Sequence, residues 1–238
     1  TALLSVWSAG IEKFLSLFET RIDNGEDPVD ATISTIREVS KMSRHIRFEG
    51  DAYTEEWQEE ARRRGILKAE TIPDAIDLFM EPKTLDMLEE MGVFKRKEME
   101  AFHVIRMESF IKSIEIEMSV LRDMVWEGIL PSISKQLLME KTSYDIVAEM
   151  EMPGMKHWHE HIFKLAEARV ELMEKTKQLT AMKEELAAMP LKERANTIVN
   201  EVVPRMEEIR KIADSVEIYI AADNLAYPKY RSLLSLSA

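Results

Sequence analysis

The chain has 238 residues, 45% hydrophobic and 32% charged, which is enough to enclose a sizeable core in one or two domains. Its net charge of −12 repels phosphate backbones and anionic lipid headgroups, and its basic run Arg62-Arg63-Arg64 falls at an expected helix end where it complements the dipole. Nucleic acid is therefore not an expected partner, and the absence of cysteine excludes disulfide staples and thiolate metal sites, which fits a reducing cytoplasm.

Almost all of the seven glycines and eight prolines fall between stretches of helical periodicity, the signature of an all-α fold. The apolar opening, Ala2 to Phe18, has no positive n-region and is interrupted by Glu12 and Lys13, so it reads as neither a signal peptide nor a membrane span. It predicts an amphipathic helix from Leu3 to Ile22, with Trp7, Phe14 and Phe18 facing a core, ending at Asn24-Gly25. No initiator methionine precedes Thr1, and the chain is read as a piece of something longer.

Asp27 before Pro28 is an N-cap with proline at the first helical position, opening a second helix through Ile33, Ile36, Val39 and Met42. Arg47 to Tyr53 has no apolar repeat and predicts a loop. Thr54 then caps a short helix that ends at Gly65, and Thr71-Ile72-Pro73-Asp74 repeats the capping logic. Short helices to Phe79 and from Pro82 to Gly92 complete residues 1–94.

From Lys95 the character changes. Met107, Phe110, Ile114, Met118, Leu121 and Val125 recur at spacings of three and four, predicting one long helix that Gly128 and Pro131 kink or break before it resumes toward Met139. After a loop at Pro153-Gly154, Leu165, Leu172, Leu179 and Leu186 fall seven apart. Beyond Pro190, so do Ala195, Val202, Ile209 and Val216, with Val199, Met206, Ala213 and Ile220 between them. Two heptad series around a short turn predict an antiparallel, coiled-coil-like hairpin over 157–223, pairing Leu186 with Ala195, Leu179 with Val202, Leu172 with Ile209 and Leu165 with Val216. Residues 95–238 are thus expected to form a long-helix bundle with a C-terminal tail.

Three stretches carry a family resemblance. The first runs from Ile46-Arg47-Phe48-Glu49-Gly50-Asp51-Ala52-Tyr53-Thr54-Glu55-Glu56-Trp57 through Arg64-Gly65 to Thr71-Ile72-Pro73-Asp74-Ala75. The second is Gly92-Val93-Phe94 with Glu108, Lys112, Glu117, Asp123 and Ile129-Leu130-Pro131, and the third is Pro228-x-Tyr230-x-x-Leu233-Leu234. Together they resemble the C-terminal region of the type III glutamine synthetases. Lys229, Arg231 and Ser232, and Phe102-His103-Val104, depart from that family's usual residues and mark a divergent member.

The resemblance implies a glutamate–ammonia ligase whose glutamate-, ATP- and metal-binding carboxylates lie upstream of Thr1, with ATP and magnesium as cofactors of the full-length enzyme. It implies, as partners, the chain's own catalytic domain and other subunits of a homo-oligomer. Residues 1–94 would pack on the catalytic domain, and the chain on its own would be inactive. A stand-alone helical interaction or scaffold module is the alternative reading.

Chemistry within the chain is sparse. Its scattered glycines form no phosphate-cradling loop, and its 44 carboxylates lie mostly opposite apolar stripes, as solvated charge does. No residue is assigned as catalytic, cofactor-binding or metal-ligating. His157-Trp158-His159-Glu160-His161 matches H-x-x-E-H in form and puts His157 and His161 on one helix face, but a zinc site needs a third ligand and an oriented shell. The expected role is an exposed first turn with Trp158 packed inward; adventitious metal binding is the alternative. Sixteen methionines read as flexible core filling, with a pliable binding groove as the alternative.

Overall fold

A computed structural model describes residues 2–66, 69–150, 152–229 and 233–234. The ordered elements are helices, with no strand among the described residues, and none of these helices is long and apolar enough to cross a membrane. The chain forms two compact units, residues 1–106 and 107–238.

In the first unit α1 (Ala2–Asp23) packs on α2 (Pro28–Met42) and α5 (Pro82–Glu90). Asp27 caps α2 by accepting from the backbone of Val29 at 2.9 Å, and Arg21 reaches Glu26 at 3.3 Å and Glu38 at 2.7 Å, tying the two helices together. Between the helices Ala31 and Thr35 are fully buried, and the Thr35 hydroxyl donates to the Ala31 carbonyl, so its burial leaves no orphaned group.

The expected core-facing stripe of α1 is only half covered. Phe14 and Phe18 are half-buried, whereas Leu4, Trp7, Ile11 and Leu15 on the same face are 72, 67, 57 and 48% exposed. The reason is length. The 15 residues of α2 cannot span the 22 of α1, and the first turns of α1 are covered on the side of Ser5, which is buried, while the Leu4–Trp7 side stands exposed.

Two short helices follow, α3 (Glu55–Arg63) and α4 (Ile72–Asp77), the latter opened by a reciprocal capping box between Thr71 and Asp74. The beginning of α6 (Arg96–Asp123) belongs to this unit through His103, whose Nε2 lies 2.8 Å from Asp77, and through the Phe94–Phe102 ring contact at 6.2 Å. Two residues of the divergent Phe102-His103-Val104 stretch thus have specific local partners.

In the second unit the rest of α6 continues through a π-helical turn, Met124–Ile129, into α7 (Leu130–Ala148). The helix expected to kink or break at Gly128 and Pro131 is not broken but interrupted by this widened turn. Proline removes a donor and crowds the carbonyl four residues back. The turn relieves both by widening: the Leu130 amide bonds to Val125, five residues back, and the helix continues. The same device recurs between α9 (Leu191–Thr197) and α10 (Val203–Glu217), where Ile198–Val202 is π-helical ahead of Pro204 and Val203 bonds to Ile198.

The central helix is α8 (Met155–Ala187), packed on α7 and α10. Contacts Tyr144–Trp158, Ser134–Arg169 and Ser119–Lys183 step in opposite senses along the two chains, so α8 runs antiparallel to the long helix. On its other side His161–Tyr219, Lys175–Glu208 and Ala187–Arg194 do the same, which makes α8 and α9–α10 an antiparallel hairpin.

All eight residues of the two seven-residue series, Leu165 to Leu186 and Ala195 to Val216, are buried. The intervening series is less so. Ile220 is buried, but Val199, Met206 and Ala213 are only half-buried, and Ile198 takes the sealed position beside Val199. The π turn accounts for the shift, since a widened turn rotates the residues within it relative to a regular 3.6-residue period.

The chain then crosses back over the long helix as a strap, residues 221–229. Gln136 accepts from the Ala221 amide and the Asn224 side chain, each at 3.0 Å, and Ser132 accepts from the Ala226 amide at 3.0 Å. The Tyr227 ring rests on Gly128, where an added Cβ would lie 2.2 Å from a ring carbon. Tyr230, Arg231 and Ser232 of the closing motif lie outside the described residues.

Candidate functional site

The stretch quoted above from Ile46 to Gly65 folds into one braced loop. Phe48 and Trp57 stack with centroids 4.0 Å apart at 23°, and the Phe48 ring covers Gly50 where a side chain would otherwise stand. Asp51 accepts from the Tyr53 amide at 2.9 Å, an Asx-type turn that brings Thr54 into position to cap α3 by accepting from Trp57 at 3.3 Å. At the far end of α3 the amides of Gly65 and Ile66 close back on Arg62 and Ala61, satisfying the last carbonyls.

Arg64 joins the two ends. Its guanidinium lies 5.5 Å from the Trp57 ring centroid, donates to the carbonyls of Arg47 at 2.8 Å and His45 at 3.3 Å, and donates to Glu60 at 2.5 Å. That hydrogen bond, with the charge of Arg63 beside it, holds the Glu60 carboxyl below its ordinary range despite some desolvation. The basic run reads in sequence as a dipole complement, but Arg64 is turned across to the loop; the Glu60–Arg64 spacing of four is the sequence signal that points to it. With its polar bonds spent on shaping backbone, the cluster presents Tyr53, 93% exposed, at its tip.

A group whose carboxyl is depressed in the folded state adds stability above its unfolded value and loses it as pH falls through the folded one. The brace is therefore expected to hold at neutral pH and loosen below about pH 4.5, the ordinary glutamate value. Following the Trp57 indole resonance during acid titration should show this transition. Glu60→Gln should remove it, and an unchanged titration in that variant would refute the assignment.

The histidine cluster opens α8. His157 is 86% exposed on its side chain and meets only Glu160, at 3.4 Å, whereas His161 turns to the Tyr219 ring at 4.9 Å and to Glu140 at 3.9 Å. Trp158 packs inward, donating to Glu140 at 2.8 Å and meeting Tyr144 edge-on. Among the described residues no three His, Asp or Glu side chains form a group that could hold a metal. Replacing His157 by alanine should leave stability within about 0.5 kcal/mol, and replacing His161 should cost no more than about 1 kcal/mol for its ring contact. Urea denaturation of both variants checks this.

The described elements are helical, and the polar bonds of the braced loop shape its own backbone. The chain belongs to the glutamine synthetase C-terminal domain family, whose model matches residues 31–150. It is 27% identical over 219 residues to a glutamine synthetase of Butyrivibrio fibrisolvens, covering 89% of this chain and 30% of that protein. It is similarly 26% identical over 203 residues to the type-3 glutamine synthetase of Dictyostelium discoideum (82% of this chain, 28% of that protein), and 27% identical over 235 residues to a glutamine synthetase of Bacteroides fragilis (94% and 32%). The chain spans about a third of the length of these curated relatives.

Proposed function

We propose that the chain is the structural C-terminal portion of an ATP-dependent glutamate–ammonia ligase, one that joins ammonia to the glutamate side chain after its phosphorylation by ATP. In this reading the chain supplies no catalytic, nucleotide-binding or metal-binding residue, and ATP and magnesium are held by a catalytic domain elsewhere in the protein. Residues 1–94 face that domain. Residues 95–238 hold subunits together, with the hairpin packing as a coiled coil, and the assembly works in the cytoplasm.

The observation that carries the reading is the exposed apolar stripe Leu4, Trp7, Ile11 and Leu15. A helix face of that kind marks a surface that other protein covers. The exposed Phe163 and Val170 on α8 support a second such surface on the hairpin.

Calorimetric titration of this chain with ATP and magnesium tests the division of labour. No saturating isotherm is expected, and one in the micromolar range would overturn it. Should ATP bind, or glutamine form, the chain would carry part of the active site itself.

A further inference from the structure

Within residues 107–238, α6 and α10 leave between them a chamber of about 640 Å³, inside the range of small-molecule sites. Ile114 and Leu121 line it from α6, Met206 and Ala213 from α10. The apolar periodicity of their helices assigns these four residues to a core, yet each is only half-buried, so an apolar surface built like a core has been left uncovered.

The first π turn borders this chamber through Met124, Val125 and Ile129, and Val203, the residue after the second, lines it as well. Such turns are rare and concentrate at functional sites. The prolines account for the widening of each helix.

The strap lines the chamber through Leu225, Tyr227 and Pro228. Charge defines the rest. The lining carries Glu117, Glu207, Asp214 and Glu217 against one cation, Arg210, which is paired with Asp214 at 3.6 Å. Glu117, Glu207 and Glu217 have no ion-pair partner among the described residues. The strap's own cation, Lys229, donates instead to the Glu217 and Ile220 carbonyls at the end of α10.

We propose that this chamber binds a small amphiphilic cation, an apolar body carrying a protonated amine. The body displaces water from the four uncovered side chains, and the ammonium pairs with one of the free carboxylates that line the chamber. An anionic amphiphile of the same body meets the same apolar walls and like charge, so head-group charge decides between them. The site stands independently of the ligase reading.

The test is calorimetry on the whole chain at neutral pH with dodecylammonium and, as the matched anion, dodecanoate, each below its micelle concentration. Dodecylammonium should bind once per chain and at least about tenfold more tightly than dodecanoate. Ala213→Phe, which places a ring inside the chamber, should weaken binding at least about tenfold while circular dichroism shows the helices intact. Combining Glu117→Gln, Glu207→Gln and Glu217→Gln should erase the tenfold preference, and this variant decides the matter if Ala213→Phe fails to fold.

Equal affinity for the two head groups in the unaltered chain would overturn the proposal. So would undiminished binding in a folded Ala213→Phe variant. Amine binding seen only after removal of residues 230–238 would overturn it too, and would assign the chamber to the chain's own tail.

Discussion

Leu172→Asp is expected to unfold the second unit at ambient temperature. Leu172 is fully buried near the middle of α8, the helix that packs on both α7 and α10, so its side chain contributes to the shared core of three helices. Truncating such a leucine to alanine removes roughly 2–5 kcal/mol of packing. Aspartate loses that packing and adds the cost of an unpaired carboxylate without water, several kcal/mol more unless the acid protonates.

A domain has about 5–15 kcal/mol in total, so the substitution consumes most of it. Loss of helical circular dichroism in the variant, with Leu172→Ala destabilised but folded, is the expected pair of results. A Leu172→Asp chain that melts like the original would show that α8 is not the centre of this unit. In a longer protein carrying this chain, the same variant should dissociate the assembly by light scattering; an unchanged assembly would reject the subunit-joining role proposed above.

Gly128→Ala sets two effects of opposite sign against each other. Alanine favours a helix over glycine by about 1 kcal/mol, so on a free helix face the change stabilises. Here the new methyl would lie 2.2 Å from Tyr227, and the ring must leave its seat. That ring belongs to a strap whose backbone is tied to Gln136 and Ser132, so it cannot withdraw without loosening those bonds.

Overpacking of this kind costs about 1–3 kcal/mol, which outweighs the propensity gain. The net expectation is destabilisation, with faster proteolysis at the strap. A second background isolates the cause: with Tyr227→Ala already in place, Gly128→Ala should be neutral or stabilising. Equal destabilisation in both backgrounds would mean that the π turn itself, rather than the strap, demands glycine.

The opposite fates of Gly128 and Gly65 show where local reading stops. Gly65 ends α3 with bonds to residues just behind it, a pattern legible from a glycine following a charged helix end. The same local logic at Gly128, reinforced by Pro131, predicts a kink or break, and there the helix runs on. A π turn accommodates the proline, and the space beside Gly128 is taken by a residue nearly a hundred positions later, Tyr227. Long-range contacts of that sort leave no trace in periodicity.

The chain's all-α class, its capping at Asp27, Thr54 and Thr71 and the two buried heptad series were all determined by sequence alone, because caps and apolar spacing act over a few residues and repeat. The resemblance in the 46–75 stretch was equally legible, but its physical meaning was not. Only the tertiary structure stacked Phe48 on Trp57 and swung Arg64 across to the Arg47 carbonyl. Only it left the Trp7 face bare and turned Met206 and Ala213 toward a chamber instead of a sealed core. An apolar stripe states that a surface favours burial; which stripes are buried depends on how far each neighbouring helix extends and how a widened turn rotates it, and those are properties of helices packed together.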